Sequence, residues 1–537
     1  MKQVMVFDTT LRDGSQGEGV SFSVEDKVRI AQKLDELGVH YIEGGWPGSN
    51  SKDIDFFKRM QEVRLTHAKI SAFGSTRRKG IAAKDDVNLN RIVESGAPVA
   101  SIFGKSWDFH VHTAIQTTLE ENLAMISDSV AYLKSAGLEV IYLAEHFFDG
   151  YKNNPEYAMQ TIQAAEQAGA DWVVLCDTNG GAMPHEVSGI VQTVCNTLLV
   201  PIGIHAHNDC ELGVANTLAA VMAGAKQVQG TINGIGERCG NANLCSIIPI
   251  LHLKLNYRCI PDEKLAKLTG IARYISEVAN IHIPTNQPFV GTSAFAHKGG
   301  IHVSAIARAP ETYEHIRPES VGNKQRILVS ELAGQSNLMV KAKELNLDPT
   351  KLTDKSRAII ERIKELEHQG YQFEGADASL ELLLREAFGE LKSTFAPESF
   401  KIIIEKKGQD NVSSEAIVKV TVNGETIHTA ADGNGPVNAL DNALRKALVD
   451  HYPDIAKMHL SDYKVRVIDE KEATAAKVRV LIESTDFHNT WNTVGVSENI
   501  IEASWNALID SIKYFLLDKK QSDTIKKTQL DVGLVNH

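Results

Sequence analysis

The stretch Val4-Met5-Val6-Phe7, followed directly by Asp8-Thr9-Thr10-Leu11-Arg12-Asp13-Gly14, is the first of eight β-rich runs that decide the fold. The runs recur about every 30 to 40 residues, the length of one strand–helix unit. They are Val4–Phe7, His40–Gly44, Lys69–Phe73, Val99–Phe103, Val140–Glu145, Trp172–Asp177, Ile202–His207 and Gln227–Ile232. Eight units predict an α/β protein with a closed parallel (β/α)8 barrel, a TIM barrel, because the alternative open doubly wound sheet rarely reaches eight uninterrupted units.

Helical patterns lie between the runs, and the clearest follows the first run. Ser23 is placed to cap a helix, Glu25 and Asp26 suit its first turn, and Gly38 is placed to end it. Many runs also end in polar residues, namely Asp8, Glu43, Glu145, Asp177 and His207. The carboxyl ends of barrel strands form the active-site face. Strands that merely meet loops would explain one or two polar ends, so the pattern favours an enzyme.

Four side chains form a candidate metal site at that face. His205 and His207 flank Ala206 in a strand, so both imidazoles point to the same side. A lone His-x-His pair is weak evidence, but closure of the barrel makes the seventh, eighth and first strands neighbours. Asp13 follows the first strand and Asn241 the eighth, so both converge on the histidines. Mixed imidazole and carboxylate ligation suits Mn²⁺ or Zn²⁺, and Mg²⁺ or Co²⁺ less decisively.

Composition argues against several other classes of protein. The chain has 537 residues and a net charge of −12. More than one domain is expected at this length, and the acidic balance argues against a general nucleic-acid binder. No run of roughly 20 apolar residues is present to span a bilayer, and the N-terminus has no secretory pattern. Six cysteines without a Cys-x-x-Cys pair indicate reduced thiols. We therefore expect a cytoplasmic protein with no nucleic-acid or membrane partner.

Beyond the barrel, assigned to residues 1–280, the chain is organised differently. Residues 281–395 are predicted to form linker subdomains with an active-site lid loop at Phe295-Ala296-His297-Lys298-Gly299-Gly300-Ile301-His302. Two imidazoles, a lysine and flexible glycines could reach over the barrel mouth from such a loop, whereas the alternative is a surface turn with solvated histidines. Amphipathic patterns predict helices over Lys351–His368 and Ala378–Phe395.

Residues 396–518 are predicted to form a C-terminal α/β domain with an internal repeat. At an offset of 64, Thr429, Ala439, Asn442, Ala443 and Leu444 match Thr493, Ala503, Asn506, Ala507 and Leu508. In each copy a small-residue loop leads into a helix, with Gly433, Asn434 and Gly435 in the first loop and Val496 and Ser497 in the second. Helix N-termini favour a carboxylate, so both loops are candidate sites for an amino-acid effector, with plain dimerisation as the alternative. Residues 519–537 are predicted to be a polar tail.

Three motifs resemble those of one enzyme family. They are Asp8-Thr9-Thr10-Leu11-Arg12-Asp13-Gly14, His205-Ala206-His207 and Gly236-Glu237-Arg238-Cys239-Gly240-Asn241-Ala242. The chain is similar to the metal-dependent TIM-barrel enzymes that condense an acyl-CoA with a 2-oxoacid, which include isopropylmalate, homocitrate and citramalate synthases. The resemblance covers nearly the whole chain, because the duplicated module is similar to their regulatory domain. Within the family, the segments Gly44–Asn50 and Glu145–Tyr151 most resemble the (R)-citramalate branch.

The resemblance implies a role for each candidate residue. Asp13, His205, His207 and Asn241 would hold the divalent metal. Arg12 would stabilise the alkoxide that develops on the oxoacid, and Thr178 would hydrogen-bond its carboxylate. Glu145 and His302 are the candidates for proton transfer, with Tyr313 beside His302. Family dimers lend the region of these last two residues to the neighbouring barrel.

The expected function is therefore that of an acyltransferase that condenses acetyl-CoA with pyruvate and hydrolyses the thioester to (R)-citramalate and CoA. The resemblance implies a homodimer in isoleucine biosynthesis, with isoleucine as feedback inhibitor. One alternative is a 2-isopropylmalate synthase that uses 2-oxoisovalerate, which would need a larger pocket. The other is an amino-acid-binding regulator with a dead barrel, against which the intact Arg12, Asp13, His205 and His207 argue.

Overall fold

The computed structural model describes residues 2–329, 335–348, 352–391, 394–406, 412–468 and 476–533. The chain divides into two compact units, residues 1–295 with 315–325, and residues 296–314 with 326–537. Residues 281–295, assigned to the linker from sequence, lie in the first unit because Phe289, Val290 and Phe295 are buried in its core. Within the described ranges, no helix has the length and apolar character needed to cross a bilayer.

The first unit is built on eight parallel strands. They are β1 (Met5–Asp8), β2 (Tyr41–Gly45), β3 (Lys69–Ser75), β4 (Val99–Lys105), β5 (Glu139–Glu145), β6 (Trp172–Asp177), β7 (Ile202–Ala206) and β8 (Gln227–Gly230). Each strand pairs with the next, and β8 pairs with β1 through Met5–Gln227 to Asp8–Gly230, which closes the barrel. The (β/α)8 prediction is confirmed.

Helices surround the barrel. They are α1 (Val24–Leu37), α2 (Ser51–Met60), α3 (Val87–Glu94), α4 (Asp108–Thr113), α5 (Leu119–Ser135), α6 (Phe147–Asn153), α7 (Pro155–Gln167), α8 (Pro184–Thr197), α9 (Gly213–Ala223), α10 (Leu244–Pro249) and α11 (Leu268–Val278). Helix α1 has the predicted ends. The Ser23 hydroxyl accepts from the Asp26 amide at 3.1 Å, the Asp26 carboxylate accepts from the Ser23 amide at 3.0 Å, and Gly38 ends the helix at φ 90°.

Large side chains fill the inside of the barrel. They are Phe7, Tyr41, Phe73, Val99, Ile141, Leu143, Val174 and Cys176. A separate core lies between the strands and the helices, and α1 contributes to it through Leu34 and Leu37, which are fully buried. The barrel is therefore a packed scaffold, and it presents polar groups where its strands end.

The second unit begins with helices. They are α12 (Gly300–Ile306), α13 (Gln335–Glu344), α14 (Leu352–His368) and α15 (Asp377–Phe388). Helix α14 matches its prediction, apart from Lys351, which lies outside the described residues. The prediction that the next helix extends to Phe395 is wrong. Helix α15 ends at Phe388 because Gly389 adopts the left-handed conformation, with φ 71°.

Two similar sheet–helix modules follow. The first has antiparallel strands β9 (Ala396–Glu405), β10 (Ser413–Val422) and β11 (Glu425–Gly433) with α16 (Pro436–Leu448). The second has β12 (His459–Val467), β13 (Val478–Thr485) and β14 (Thr490–Ser497) with α17 (Ile500–Gly533).

Equivalent contacts join strand and helix in the two modules. The Thr429 hydroxyl donates to the Ala443 carbonyl at 2.9 Å, and the Thr493 hydroxyl donates to the Ala507 carbonyl at 2.8 Å. The offset of 64 found in the sequence is therefore a structural repeat. The segment predicted as a polar tail continues α17 as far as Gly533, and residues 534–537 lie outside the described residues.

Candidate metal centre and active site

Asp13, His205 and His207 meet at the carboxyl end of the barrel, where all three are buried. Asp13 Oδ2 lies 3.2 Å from His205 Nε2 and 3.8 Å from His207 Nε2. The two Nε2 atoms are 3.2 Å apart. Donors that bind one ion at about 2.0–2.2 Å lie roughly 3 Å from one another, so this spacing fits a shared divalent cation.

Asn241 completes the set of four donors. A backbone bridge joins it to His207, and its Nδ2 lies 3.1 Å from Asp13 Oδ2 and 3.2 Å from His205 Nε2. Its Oδ1 is buried with no hydrogen-bond partner among the described residues. A half-turn of the amide exchanges the two atoms and aims Oδ1 at the imidazoles, where a cation would satisfy it. Asn241 therefore fits the role of fourth ligand.

The electrostatics of the cluster favour a cation. Burial would raise the pKa of Asp13, but Arg12 and His205 outweigh burial and hold that pKa below its usual range. Burial, together with the neighbouring His205, lowers the pKa of His207 to about 4. At neutral pH the cluster thus offers a carboxylate and a neutral imidazole, the forms in which these side chains bind metals.

Gln229, which the sequence did not single out, orients His205. Its Oε1 lies 3.0 Å from His205 Nδ1, while its Nε2 donates to Gln227 Oε1 at 3.0 Å. Because the Gln229 amide nitrogen is used in this way, its oxygen faces the ring and accepts from His205 Nδ1 when that nitrogen carries the proton. The Nε2 lone pair is then left for the metal. Two glutamines on one face of β8 were the available sequence clue.

Arg12 is held beside the cluster by contacts from other strands. Its Nε donates to Glu43 Oε2 at 2.6 Å, and its guanidinium carbon lies 3.9 Å from the centre of the Phe73 ring. Glu43 also accepts from Thr9 at 2.5 Å and from Ser101 at 2.6 Å. Burial alone would lower the pKa of Arg12, but Glu43 and Asp13 raise it above the usual value. Arg12 is therefore a fixed, permanently charged donor.

A cavity of about 330 Å³ opens over these groups. Its polar lining includes Arg12, Asp13, Glu145, Thr178, His205 and His207, and its apolar lining includes Trp46, Phe73, Phe103, Leu143 and Cys176. Trp46 packs edge-on against Phe73 and Phe103, with ring centres 5.4 and 5.8 Å away. The cavity thus combines a charged metal-type cluster with an apolar wall of large side chains.

Glu145 and Thr178 lie on this cavity, as predicted. Glu145 is ion-paired with Lys105, a partner that the sequence did not reveal. The Thr178 hydroxyl oxygen accepts from the His146 amide at 2.9 Å, which leaves its proton free to donate into the cavity. His146 adopts the left-handed conformation, with φ 54°, to make that contact.

Arg238 is a further residue at the cavity. Its guanidinium binds both Asp209 oxygens, at 2.8 and 2.9 Å, and the Thr178 carbonyl, at 2.8 Å. It also lies 3.1 Å from His207 Nδ1. A guanidinium only donates, so His207 Nδ1 is the acceptor in this contact.

His302 and Tyr313 lie in the second unit, where their rings stack with centres 4.2 Å apart. Both side chains are exposed, and Tyr313 is 47% exposed. His297, the other imidazole of the predicted lid loop, pairs with Glu314 at 3.1 Å. The pairing of His302 with Tyr313 is therefore a structural fact, while their catalytic role stays a prediction.

The two predicted effector loops differ. Helix α16 begins after Gly435 with no side-chain cap. At α17, Asn499 Oδ1 already accepts from the amide of Ile501 at 2.8 Å, and Glu502 accepts from Ser497 at 2.6 Å. The first loop, with Gly433, Asn434 and Gly435, thus leaves its helix terminus more open than the second, with Val496 and Ser497. Effector binding at either loop stays a prediction.

Three protein families match successive parts of the chain. Residues 3–275 match the HMGL-like family, residues 289–371 the homocitrate synthase post-HMGL domain-like family, and residues 374–516 the LeuA allosteric (dimerisation) domain. The chain is 56% identical to an (R)-citramalate synthase of Geobacter sulfurreducens, over 98% of this chain and 100% of that protein. It is 56% identical to an (R)-citramalate synthase of Aquifex aeolicus, over 97% and 99%.

More distant relatives carry another name. The chain is 32% identical to a 2-isopropylmalate synthase of Methanocaldococcus jannaschii, over 97% of this chain and 96% of that protein. Among solved structures, the HMG-CoA lyase of Bacillus subtilis matches with a TM-score of 0.46 and 22% identity, covering 53% of this chain and 96% of that one.

Proposed function

Because the chain belongs to the HMGL-like family and, within it, to the (R)-citramalate synthases, we propose that it condenses acetyl-CoA with pyruvate and hydrolyses the thioester to (R)-citramalate and CoA. The observation that carries this proposal is the intact cluster of Asp13, His205, His207 and Asn241 beside Arg12, on a cavity with an apolar wall. The same cluster argues against a dead barrel that only binds an amino acid.

Asp13, His205, His207 and Asn241 would hold a divalent cation. When bound, such a cation supplies Lewis acidity that polarises the keto oxygen of the 2-oxoacid. Two imidazoles in the set favour Mn²⁺ or Zn²⁺ over Mg²⁺ or Co²⁺. Arg12 donates to the oxygen on which negative charge develops, and it is suited to this because Glu43 and Phe73 already fix its direction.

The remaining polar groups have complementary tasks. Thr178 donates its free hydroxyl proton to the oxoacid carboxylate. Glu145 and His302 are the two proton-transfer groups, and the stacked Tyr313 orients the His302 ring. The ion pair with Lys105 holds the Glu145 carboxylate in place at the cavity.

The apolar wall favours pyruvate over 2-oxoisovalerate. Trp46, Phe73, Phe103 and Leu143 are large side chains that line the cavity. Trp46 is also fixed by a hydrogen bond of 2.5 Å from its indole nitrogen to Asn88 Oδ1. Moving the indole to make room for a branched substrate would break this hydrogen bond. A methyl group suits such a wall better than an isopropyl group. The 2-isopropylmalate alternative is therefore disfavoured.

We propose that the chain forms a homodimer in which His302 and Tyr313 serve the barrel of the partner subunit. A mixture of Arg12→Ala and His302→Ala chains tests this proposal. If the residues act in trans, mixed dimers contain one site with both lesions and one intact site, so activity returns. If they act within one chain, every site carries one lesion and mixing restores nothing. Mixtures of two preparations of the same variant are the control.

We also propose isoleucine as feedback inhibitor, bound by its carboxylate at the open terminus of α16 near Gly433, Asn434 and Gly435.

The overall reaction is tested by release of free CoA from acetyl-CoA in the presence of pyruvate. Release should stop when a chelator is added and return when Mn²⁺ or Zn²⁺ is restored in excess. CoA release that is indifferent to both pyruvate and the chelator would overturn the proposed function.

A further inference from the structure

A cationic loop follows β3 at the active-site end of the barrel. Residues 76–86, here called the rim loop, include Arg77, Arg78, Lys79 and Lys84, on a chain whose net charge is −12. Its two carboxylates are Asp85, which is exposed, and Asp86, which is buried and caps α3. The loop therefore carries a local positive excess where the surrounding chain is acidic.

The rim loop is anchored in one conformation. The buried Arg77 guanidinium pairs with Glu121 and Asp128, each at 2.8 Å. The Arg78 amide donates to Asp86 Oδ2 at 2.9 Å, and the Gly80 amide donates to Glu121 Oε1 at 3.1 Å. These contacts neutralise the charge of Arg77 and fix the backbone of the rim loop. The other cationic side chains of the loop therefore extend from a rigid backbone.

The other three cationic side chains of the rim loop have no acidic partner among the described residues. Arg78, Lys79 and Lys84 are exposed. Within the described part of the chain, the side chains of Arg78 and Lys84 form no ion pair or hydrogen bond, and Lys79 Nζ contacts only the carbonyls of Ile115 and Gln116, at 3.2 and 2.8 Å. Exposed, unpaired cations on a rigid loop are suited to bind phosphate groups.

The rim loop is also tied to the catalytic cavity. Asn88, in the first turn of α3, donates to the Ser75 carbonyl at the end of β3 at 3.0 Å. Its Oδ1 accepts from Trp46 Nε1 at 2.5 Å, and Trp46 lines the cavity. The rim loop is thus linked through Asn88 to Trp46, one of the side chains that line the cavity.

We propose that Arg78, Lys79 and Lys84 bind the phosphate groups of the acyl carrier, the 3′-phosphorylated ADP end of CoA. This inference rests on the proposed function, because it presumes that the thioester is carried on CoA. It assigns the rim loop a task that the chemistry itself does not require, namely to hold the nucleotide end outside the cavity while the acyl end enters it.

The double variant Arg78→Gln/Lys84→Gln tests this assignment, and both positions are exposed, so the fold is spared. The KM for acetyl-CoA should rise at least about 10-fold with kcat little changed. The KM for S-acetyl-N-acetylcysteamine, which has the thioester but no phosphate, should not change. Lys69→Gln is the matched control, since Lys69 is an exposed cation at the opposite end of the same strand, β3.

Unchanged kinetics with acetyl-CoA, or an equal rise in KM for both thioesters, would overturn the assignment. A wild-type protein that releases no CoA would instead count against the proposed function, and titration calorimetry with adenosine 3′,5′-bisphosphate then decides the inference by itself. Binding to the wild type that weakens at least about 10-fold in the double variant supports the rim loop. Equal binding by both proteins, or by neither, overturns it.

Discussion

Arg12 and Glu43, on neighbouring strand ends, are joined by a hydrogen bond of 2.6 Å between Nε and Oε2. Among the described residues, the hydrogen-bond partners of Glu43 are Thr9, Arg12 and Ser101, and none of them is a histidine of the cluster. The Arg12 guanidinium is thus held by the barrel framework through Glu43, while its Nη1 lies 3.3 Å from Asp13 Oδ2 of the metal-type cluster. Charge stabilisation and metal binding are assigned to different side chains, although these are adjacent in the sequence.

This separation predicts the behaviour of Arg12→Ala. The variant should slow kcat about 100-fold or more, as loss of an oxyanion-type donor does, and should keep nearly wild-type metal affinity. Metal affinity is measured by competition with a chromogenic chelator, independently of turnover. Loss of the metal from Arg12→Ala would show that the two roles are not separate. Glu43→Gln should lower kcat to a smaller extent, because it loosens Arg12 without removing it.

The contact of Gln229 with His205 predicts a metal-binding defect in Gln229→Leu. Without an acceptor for Nδ1–H, the ring loses its fixed tautomer and orientation, and metal affinity should fall about 10- to 100-fold. The same chelator competition measures this change. Ser101→Ala is the control, because Ser101 contacts Glu43 and not the imidazoles. If Gln229→Leu binds metal as tightly as the wild type, the orienting role is wrong.

The close packing of Gly433 against α16 predicts how inhibition can be removed. A Cβ at Gly433 would lie 2.3 Å from the Ala439 backbone nitrogen, so Gly433→Ala must displace the helix terminus. Inhibition by isoleucine should weaken at least about 10-fold, while kcat without effector stays near the wild-type value. Gly375→Ala is the control, since nothing lies within 4 Å of a Cβ there. Undiminished inhibition in Gly433→Ala would place the effector elsewhere.

Much of the framework could be predicted from local patterns. The spacing of the β-rich runs predicted the bounds of each barrel strand to within a few residues. This is possible because a buried strand and the turn residues beside it are both recognised within a short segment. Ser23 and Gly38 marked the ends of α1 for the same reason. Closure of the barrel then brought Asp13, His205, His207 and Asn241 together, which no single motif shows.

Other features depend on contacts between distant segments. Lys105 pairs with Glu145 across two strands, and Arg238 binds Asp209 and Thr178 from a loop after β8. Which side chains pair in this way depends on the register of neighbouring strands and on the length of each side chain. A single sequence does not reveal that register. The end of α15 at Phe388 is different, because Gly389, which ends the helix, is a stop signal that the sequence itself contains.

The substrate assignment depends on the apolar wall formed by Trp46, Phe73, Phe103 and Leu143. A pocket shaped for a methyl group loses roughly 1–3 kcal/mol of transition-state binding for each extra methylene. The decisive measurement is kcat/KM for pyruvate and for 2-oxoisovalerate, with acetyl-CoA saturating and the metal in excess. Pyruvate should be favoured by at least about tenfold. An equal or reversed ratio would contradict the assignment of this chain to citramalate formation.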